Sequence, residues 1–270
     1  MSPLYAVIGG SGLYNLGDDF VEDSKSFVET PYGPTSAEII RGVWQNQPVV
    51  FLARHGESHR IPPHQINYRA NLYALKQQGV THVIAVNAVG GVSPNFAPKT
   101  IALPDQIIDY SWGRAHTFCD VAFPDVESNA VHHIDFTYPY SAPLRAMIVE
   151  SANEGNIQFQ ASGVYGCTNG PRLETKAEIV KMSRDGCDMI GMTGMPEAAL
   201  ARELEIEYAS IALVVNWCAG VDKLGNLESG SNGQEDGGSK ITMDAIMQVL
   251  EQGLEPVKQL ILSILKRGNQ

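Results

Sequence analysis

Residues Gly163 to Glu178 read G-V-Y-G-C-T-N-G-P-R-L-E-T-K-A-E. An apolar run ends at Tyr165, a turn follows at Asn169-Gly170-Pro171, and helical spacing sets in from Glu174. A turn of this composition either presents groups to a ligand or simply connects a strand to a helix. Its surroundings repeat the alternation. Gln160–Val164 predicts the strand feeding the turn and Thr175–Arg184 the helix behind it. Asp188–Met195 predicts a short strand and loop, after which Pro196 opens another helix with Glu197 in its first turn.

The same alternation extends outward. Leu4–Ile8 predicts a strand closed at once by Gly9-Gly10-Ser11-Gly12. Such a turn lets bare N–H groups and a small hydroxyl approach an anion, although it can equally be tight without a ligand. Ala37–Arg41 and Pro48–Ala53 predict strands around a turn at Gln45-Asn46-Gln47. Gln65–Gln78 has helical spacing and stops at Gly79. His82–Val89 is apolar apart from Asn87 and closes on Gly90-Gly91. Unbroken rather than alternating hydrophobicity marks a strand buried on both faces. Asn87 at its end either serves a site or caps its own turn.

Ile101–Ile108 predicts another strand, and Pro143–Glu154 a helix. Glu207–Asn216 is a strongly apolar strand ending in an amide, where open α/β sheets place ligands. Asp222–Ser239 is polar and glycine-rich and reads as a surface loop beside the site. Thr242–Lys266 has helical apolar spacing, with a kink expected at Pro256. Together these predict one α/β domain over residues 1–270, with a central mixed, mostly buried sheet flanked by helices.

With 270 residues and 44% hydrophobic content the chain can bury a large core. A net charge of −11 argues against nucleic acid and anionic membrane as partners, but not against a small anion held by local donors. The four cysteines (Cys119, Cys167, Cys187, Cys218) form no C-x-x-C pair, and no apolar run is long enough for a membrane helix. The chain reads as cytoplasmic. The neighbours His132 and His133 would point to opposite faces of a strand, and no spacing resembles a metal site.

Arg54-His55-Gly56-Glu57-Ser58 resembles the phosphohistidine motif of the phosphoglycerate mutase family, yet it follows some fifty residues of other structure. The chain then continues to His59, Pro63 and Asn67-Tyr68-Arg69-Ala70-Asn71. R-H-G-x-x-H-x-x-x-P-x-x-x-N-Y-x-A-N, together with G-x-Y-x-x-x-x-G-P-x-L-E-T-x-A-E, resembles the trimeric purine nucleoside phosphorylase and methylthioadenosine phosphorylase family. Gly9–Gly12, the His133-Ile134 segment, Met192-Thr193 and the strand into Asn216 match in order and approximate spacing.

The resemblance implies a nucleoside phosphorylase-like fold, a homotrimer and no cofactor beyond inorganic phosphate as co-substrate. It implies a phosphate site of Ser11, Arg54, His55, Asn87 with the Ala88 backbone, and Thr193, in which Arg54 and His55 donate. Met192 would contact ribose and His133 the 5′ end, the latter possible from a neighbouring subunit. Adenine-specific members resemble T-D-Y-D where this chain has Val215-Asn216-Trp217-Cys218. Leu173-Glu174-Thr175 and Asn216 match the 6-oxopurine enzymes instead. A carboxylate at Glu174 accepts from the N1–H of hypoxanthine but meets a lone pair on adenine, and Asn216 can donate to O6 or N7. Ile241, Met243 and Ile246 either enclose a 5′-thiomethyl group or start the core face of the last helix.

The expected reaction is therefore phosphorolysis of methylthioinosine, with Asn216, His55 and Arg54 carrying the chemistry. The alternatives are methylthioadenosine, inosine or guanosine as substrate, a histidine phosphatase, or a nucleoside binder without turnover.

Overall fold

In the computed structural model, which describes residues 3–119, 131–227 and 241–268, strands and helices alternate along most of the chain. The first third supplies β1 (Tyr5–Gly9), β2 (Phe20–Ser26), the short pair β3 (Glu29–Thr30) and β4 (Gly33–Pro34), β5 (Ile39–Trp44) and β6 (Gln47–Ala53). Helix α1 (Tyr68–Gln77) leads to β7 (His82–Gly91), β8 (Ile101–Ala102) and β9 (Gln106–Asp109). Then come α2 (Ala142–Glu154), β10 (Phe159–Gln160), β11 (Val164–Cys167) and α3 (Lys176–Arg184). The chain closes with β12 (Met189–Gly191), α4 (Glu197–Glu203), β13 (Glu207–Trp217) and α5 (Met243–Gly268).

Eleven of the described strands form one mixed sheet, ordered β10-β8-β13-β7-β1-β6-β5-β2 along its main path. The centre is parallel: β1 pairs with β6 and β7, and β13 runs beside β7 from Glu207↔His82 to Trp217↔Gly91. Val83, Ile84, Ala85 and Val86 are buried, as expected of a strand covered on both faces. Partner exchange at β7 creates the site. Its first half pairs with β1 through Ala85, whereas Gly90 and Gly91 pair antiparallel with β12. Between those pairings the sheet branches, and the ends of β1 and β6 open beside residues 86–89. Parallel sheets place ligands in such a crevice, at the carboxyl ends of strands where neighbours diverge.

Several expected elements shift for identifiable reasons. The strand predicted over residues 101–108 is two strands, broken at Leu103-Pro104-Asp105, where proline has no N–H to give a ladder. β8 joins β13 and β9 joins β11. The strand predicted over residues 160–164 is likewise divided between β10 and β11. α1 starts at Tyr68, because Asn67 turns to accept the Ala70 N–H as its N-cap. β2 has no counterpart among the expected elements. It is an edge strand whose charged F-V-E-D-S-K-S sequence is almost wholly exposed, so it lacks the apolar signal of the central strands.

Caps hold the helices near the site. Thr175 accepts the Glu178 N–H while Glu178 returns a bond to the Thr175 N–H, closing a capping box at α3. α5 runs without a break in its helical assignment through Pro256, where the sequence predicts a kink. It buries Leu250, Leu254, Val257, Leu260, Ile261, Ile264 and Leu265, and at Gly253 lies so close to β13 that a Cβ would meet the Leu213 side chain at 2.7 Å.

Candidate active site

The branch opens into a cavity of about 350 Å³. Its inner end is lined by Gly10, Ser11, Arg54, His55, Ala88 and Thr193, its middle by Met192 and Val89, and its far wall by Leu173, Glu174, Asn216 and Cys218. Ile241, just before α5, and Met243, Ile246 and Met247 in its first turns form an apolar mouth. Tyr14 and His59 also line the cavity, His59 packing on His55. Of the fourteen site residues predicted from sequence, twelve line this one cavity. Asn87 and His133 do not.

The inner end is built on a buried ion pair. Arg54, just after β6, and Glu197, at the start of α4, are both wholly buried. Nε and Nη2 of Arg54 each donate to a Glu197 carboxylate oxygen at 3.0 Å, and the Tyr208 hydroxyl donates to the same carboxylate at 2.9 Å. Nη2 also reaches the Ile8 carbonyl, and Nη1 donates to the Val86 carbonyl at 2.7 Å. The two-pronged face of the guanidinium expected to bind phosphate is thus committed to Glu197. One Nη1–H remains, beside Gly10, where a Cβ would stand 2.9 Å from Nη1. Burial works to lower the Arg54 pKa, but the attraction of Glu197 outweighs it and the pKa rises. Such a pair is costly to leave half-occupied.

His55 also departs from its expected role. Its Nδ1 lies 2.9 Å from the Ile61 carbonyl, which can only accept, so Nδ1 carries the proton. Burial pushes the imidazole from 6.5 to about 3, against the Ile61 hydrogen bond and assisted by the nearby Arg54 and His59. His55 is therefore neutral, and the nitrogen left for a ligand, Nε2, bears a lone pair. It accepts where a donor was predicted. The His59 ring covers it with centroids 4.2 Å apart.

Asn87 stands behind the cavity wall. Its Nδ2 donates to Thr193 Oγ1 at 2.7 Å, and its Oδ1 accepts from the Ser210 hydroxyl at 2.7 Å. With one Thr193 lone pair occupied by Asn87, the Thr193 proton is free to point into the cavity. Asn87 thus aims a donor instead of being one. The Met192–Gly194 loop is held by Tyr165 of β11, whose hydroxyl accepts the Thr193 and Gly194 N–H groups.

At the far wall, Glu174 accepts the Thr168 hydroxyl on Oε1 at 2.6 Å, which leaves Oε2 for a ligand. A bulge at Val215 shifts the β13 register between Val214 and Asn216 and turns Asn216 into the crevice. Asn216 Nδ2 gives one proton to the Trp217 carbonyl, keeping its second proton and its oxygen. Thr168, Ser210 and Arg114 have no role in the sequence reading, and Glu197 enters it only as a first-turn carboxylate of α4. Arg114, nearly buried, hydrogen-bonds the carbonyls of Thr168, Asn169 and Met195 and so ties the loop of residues 168–169 to Met195.

His133 is exposed and lies outside the cavity of its own chain. Of the expected loop at residues 222–239, Asp222–Leu227 forms a turn in which the Asp222 carboxylate accepts the Leu224 and Asn226 N–H groups. Residues 228–239 lie outside the described set.

Polar side chains and an amide–carboxylate pair thus line one cavity at the branch of the sheet. The chain belongs to the Phosphorylase superfamily, whose family model matches residues 4–266. A protein of Pseudomonas syringae pv. tomato named "Probable S-methyl-5'-thioinosine phosphorylase" is 48% identical over 97% of this chain and 98% of its own. The "6-oxopurine nucleoside phosphorylase" of Pyrococcus furiosus is 40% identical over 97% and 91%. Among solved structures, the methylthioadenosine phosphorylase from Schistosoma mansoni in complex with adenine superposes with a TM-score of 0.86. It is 28% identical and covers 98% of this chain and 91% of that one.

Proposed function

We propose that this chain phosphorolyses S-methyl-5′-thioinosine to hypoxanthine and 5-methylthioribose 1-phosphate. The observation that carries the reading is a single cavity with Glu174 and Asn216 at one wall and an apolar mouth of Ile241, Met243 and Ile246. Glu174, steadied by Thr168, accepts the N1–H of a 6-oxopurine and would set a carboxylate against the lone pair of adenine N1. The free proton of Asn216 meets O6 or N7, where negative charge gathers as the base departs.

Phosphate rests among Ser11, Thr193, the remaining Nη1–H of Arg54 and the Ala88 backbone, with His55 beside it, and needs no other cofactor. An oxygen of phosphate attacks C1′ as the bond to N9 breaks and its electron pair leaves with the base. C1′ passes through oxocarbenium character, as in glycoside cleavage. Met192 lies between the two ends, where the ribose spans them. Holding both reactants in one crevice supplies much of the acceleration. No enzyme nucleophile takes part, which sets aside the phosphohistidine reading of His55.

The assembly we assign is a homotrimer. Its support is His133, exposed and away from its own cavity, in a chain that also exposes the large apolar side chains of Trp112, Val131 and Tyr138. A neighbouring subunit can then receive His133 at its 5′ end. The compartment we assign is the cytoplasm, in keeping with four cysteines that form no disulfide. Among the described residues no helix is long and apolar enough to cross a membrane.

Comparison of kcat/KM for methylthioinosine, inosine and methylthioadenosine, with and without phosphate, tests the assignment. Methylthioinosine is expected to exceed inosine roughly tenfold, from about 1–2 kcal/mol of buried methylthio surface. It should exceed methylthioadenosine by a larger factor. Inosine at or above methylthioinosine would favour a general 6-oxopurine phosphorylase, the activity named for the Pyrococcus relative. Base release undiminished without phosphate would refute phosphorolysis.

A further inference from the structure

Glu174 borders two cavities. It lines the wall of the large one, and it also lines a smaller cavity of about 180 Å³ shared with Tyr110, Trp112, Asn169 and Arg172. The smaller cavity offers its carboxylate a cationic partner in Arg172, an exposed guanidinium now bonded to Glu178. What holds the carboxylate is the Thr168 hydroxyl, which donates to Oε1 at 2.6 Å. That hydroxyl has one proton, and its other acceptor among the described residues, the Gly191 carbonyl, is at 3.4 Å. Thr168 is in turn held from behind by Arg114. Nη2 of Arg114 donates to the Thr168 carbonyl at 3.2 Å and to the Asn169 carbonyl at 3.0 Å, and Nε donates to Asn169 Oδ1 at 3.3 Å. Beyond Asn169, as far as Glu174, the backbone is bonded among the described residues only at Leu173, by the exposed Arg172.

Arg114 is only 8% exposed, yet its partners are carbonyls, an amide and a hydroxyl, and no carboxylate pairs with it among the described residues. Burying a cation without a counter-ion is costly, so its fork of donors must serve more than packing. The loop across the cavity depends on it less. Nη1 reaches the Met195 carbonyl, but Tyr165 separately holds the Thr193 and Gly194 N–H groups, and Cys167 Sγ accepts the Met195 N–H. We propose that Arg114 is the positioning residue of base recognition. By fixing the carbonyls of Thr168 and Asn169 it aims the Thr168 hydroxyl, which keeps the Glu174 carboxylate in the nucleoside cavity and out of the smaller one. This rests on the base readout proposed above. With the hydroxyl displaced, the carboxylate turns towards Arg172. Hypoxanthine then loses the acceptor of its N1–H, and adenine is relieved of a lone pair opposed to its own. Both changes lower the preference for the 6-oxopurine.

The test is the ratio of kcat/KM for methylthioinosine to that for methylthioadenosine in the full-length protein, with KM for phosphate measured alongside. Thr168→Val should lower the ratio roughly tenfold, the worth of one hydrogen bond to a charged group. Arg114→Lys keeps a cation but not the planar fork, and should lower it to a similar extent. The two together should lower it no further than either alone, because they cut one chain of bonds. KM for phosphate should stay within about twofold, since the Met192–Gly194 loop keeps its own anchors. Arg145 is the matched control: it donates to the carbonyls of Leu103, Pro104 and Ala161, away from the cavity, and Arg145→Lys should leave the ratio unchanged. An unchanged ratio in Thr168→Val overturns the proposal even if Arg114→Lys fails to fold. Losses that add in the double variant, an equal fall in Arg145→Lys, or a parallel rise in KM for phosphate also overturn it, as signs of general loosening. Glu174→Gln separates the two layers. A ratio unmoved there removes the base readout itself, and the proposal with it. A ratio that collapses there but survives Thr168→Val and Arg114→Lys removes only the role of Arg114.

Discussion

The two ends of the cavity are made in opposite ways. The inner end is assembled from several strand and helix termini, and its polar groups are buried and mutually bonded: Arg54 to Glu197, Glu197 to Tyr208, Asn87 to both Ser210 and Thr193. The mouth is built largely on the first turns of one helix, with Met243 65% exposed and Met247 36% exposed. A polar group removed from water must be satisfied, so each member of the inner network constrains the next. Apolar contacts at a rim are non-directional and can be exchanged one by one. The inner end is therefore suited to a ligand that never changes, and the mouth to a substituent that distinguishes one nucleoside from another.

The sharpest way to break this contrast is Arg54→Ala. It leaves the Glu197 carboxylate buried and uncompensated, and the expected loss is about 3–5 kcal/mol of unfolding free energy, read by urea denaturation. Phosphate-dependent turnover should fall with it. A loss under about 1 kcal/mol would mean that the pair is not the support of the inner end.

Acid should act on the inner end next. The folded-state pKa of His55 lies near 3, below its ordinary 6.5, so between those values the unfolded chain binds a proton that the folded chain refuses. Unfolding free energy then falls as pH drops from about 6.5 towards 3, by at most about 1.4 kcal/mol per pH unit from this group, and is unaffected by it above 6.5. Denaturation of the unsubstituted protein and of His55→Gln across that window measures the difference. Parallel curves would show that the histidine is not buried neutral.

The smallest effect belongs to the mouth. Met243→Ala should leave unfolding free energy within about 0.5 kcal/mol, because the residue is mostly exposed. It should lower the preference for methylthioinosine over inosine roughly threefold, read as a ratio of kcat/KM. A stability loss comparable to that of Arg54→Ala would erase the distinction between the two ends.

Much of the scaffold is legible in the chain because burial on both faces writes unbroken apolar runs, and β1, β6, β7 and β13 all carry them. Local chemistry is legible too, in the glycines after β1 and the amide closing β13. The missed features have one cause in common, which is dependence on partners that neighbouring residues do not specify. In the sequence Glu197 is a helix-start carboxylate interacting with the α4 dipole, and only the sheet brings it to Arg54, 143 positions away. The tautomer of His55 depends on a backbone carbonyl, which any residue at position 61 would supply. Asn87 stands one layer behind the place its strand-end position suggests, since whether an amide touches ligand or wall is decided by the hydroxyls around it. β2 carries no apolar run to betray it, being exposed and charged.

The exchange of partners along β7 also sets an order of events during synthesis. β1, β6 and β7 all lie within the first ninety-one residues, so Ser11, Arg54, His55 and Ala88 leave the ribosome early. Glu197, Thr193 and Asn216 belong to the last third, and β13 pairs with β7 across a long stretch of intervening chain. Closing contacts so distant in sequence is slow, and until it happens the Arg54 guanidinium lacks the Glu197 carboxylate. Phosphate and nucleoside can stabilise only the completed arrangement, so a nascent or truncated chain gains nothing from a cell rich in either ligand.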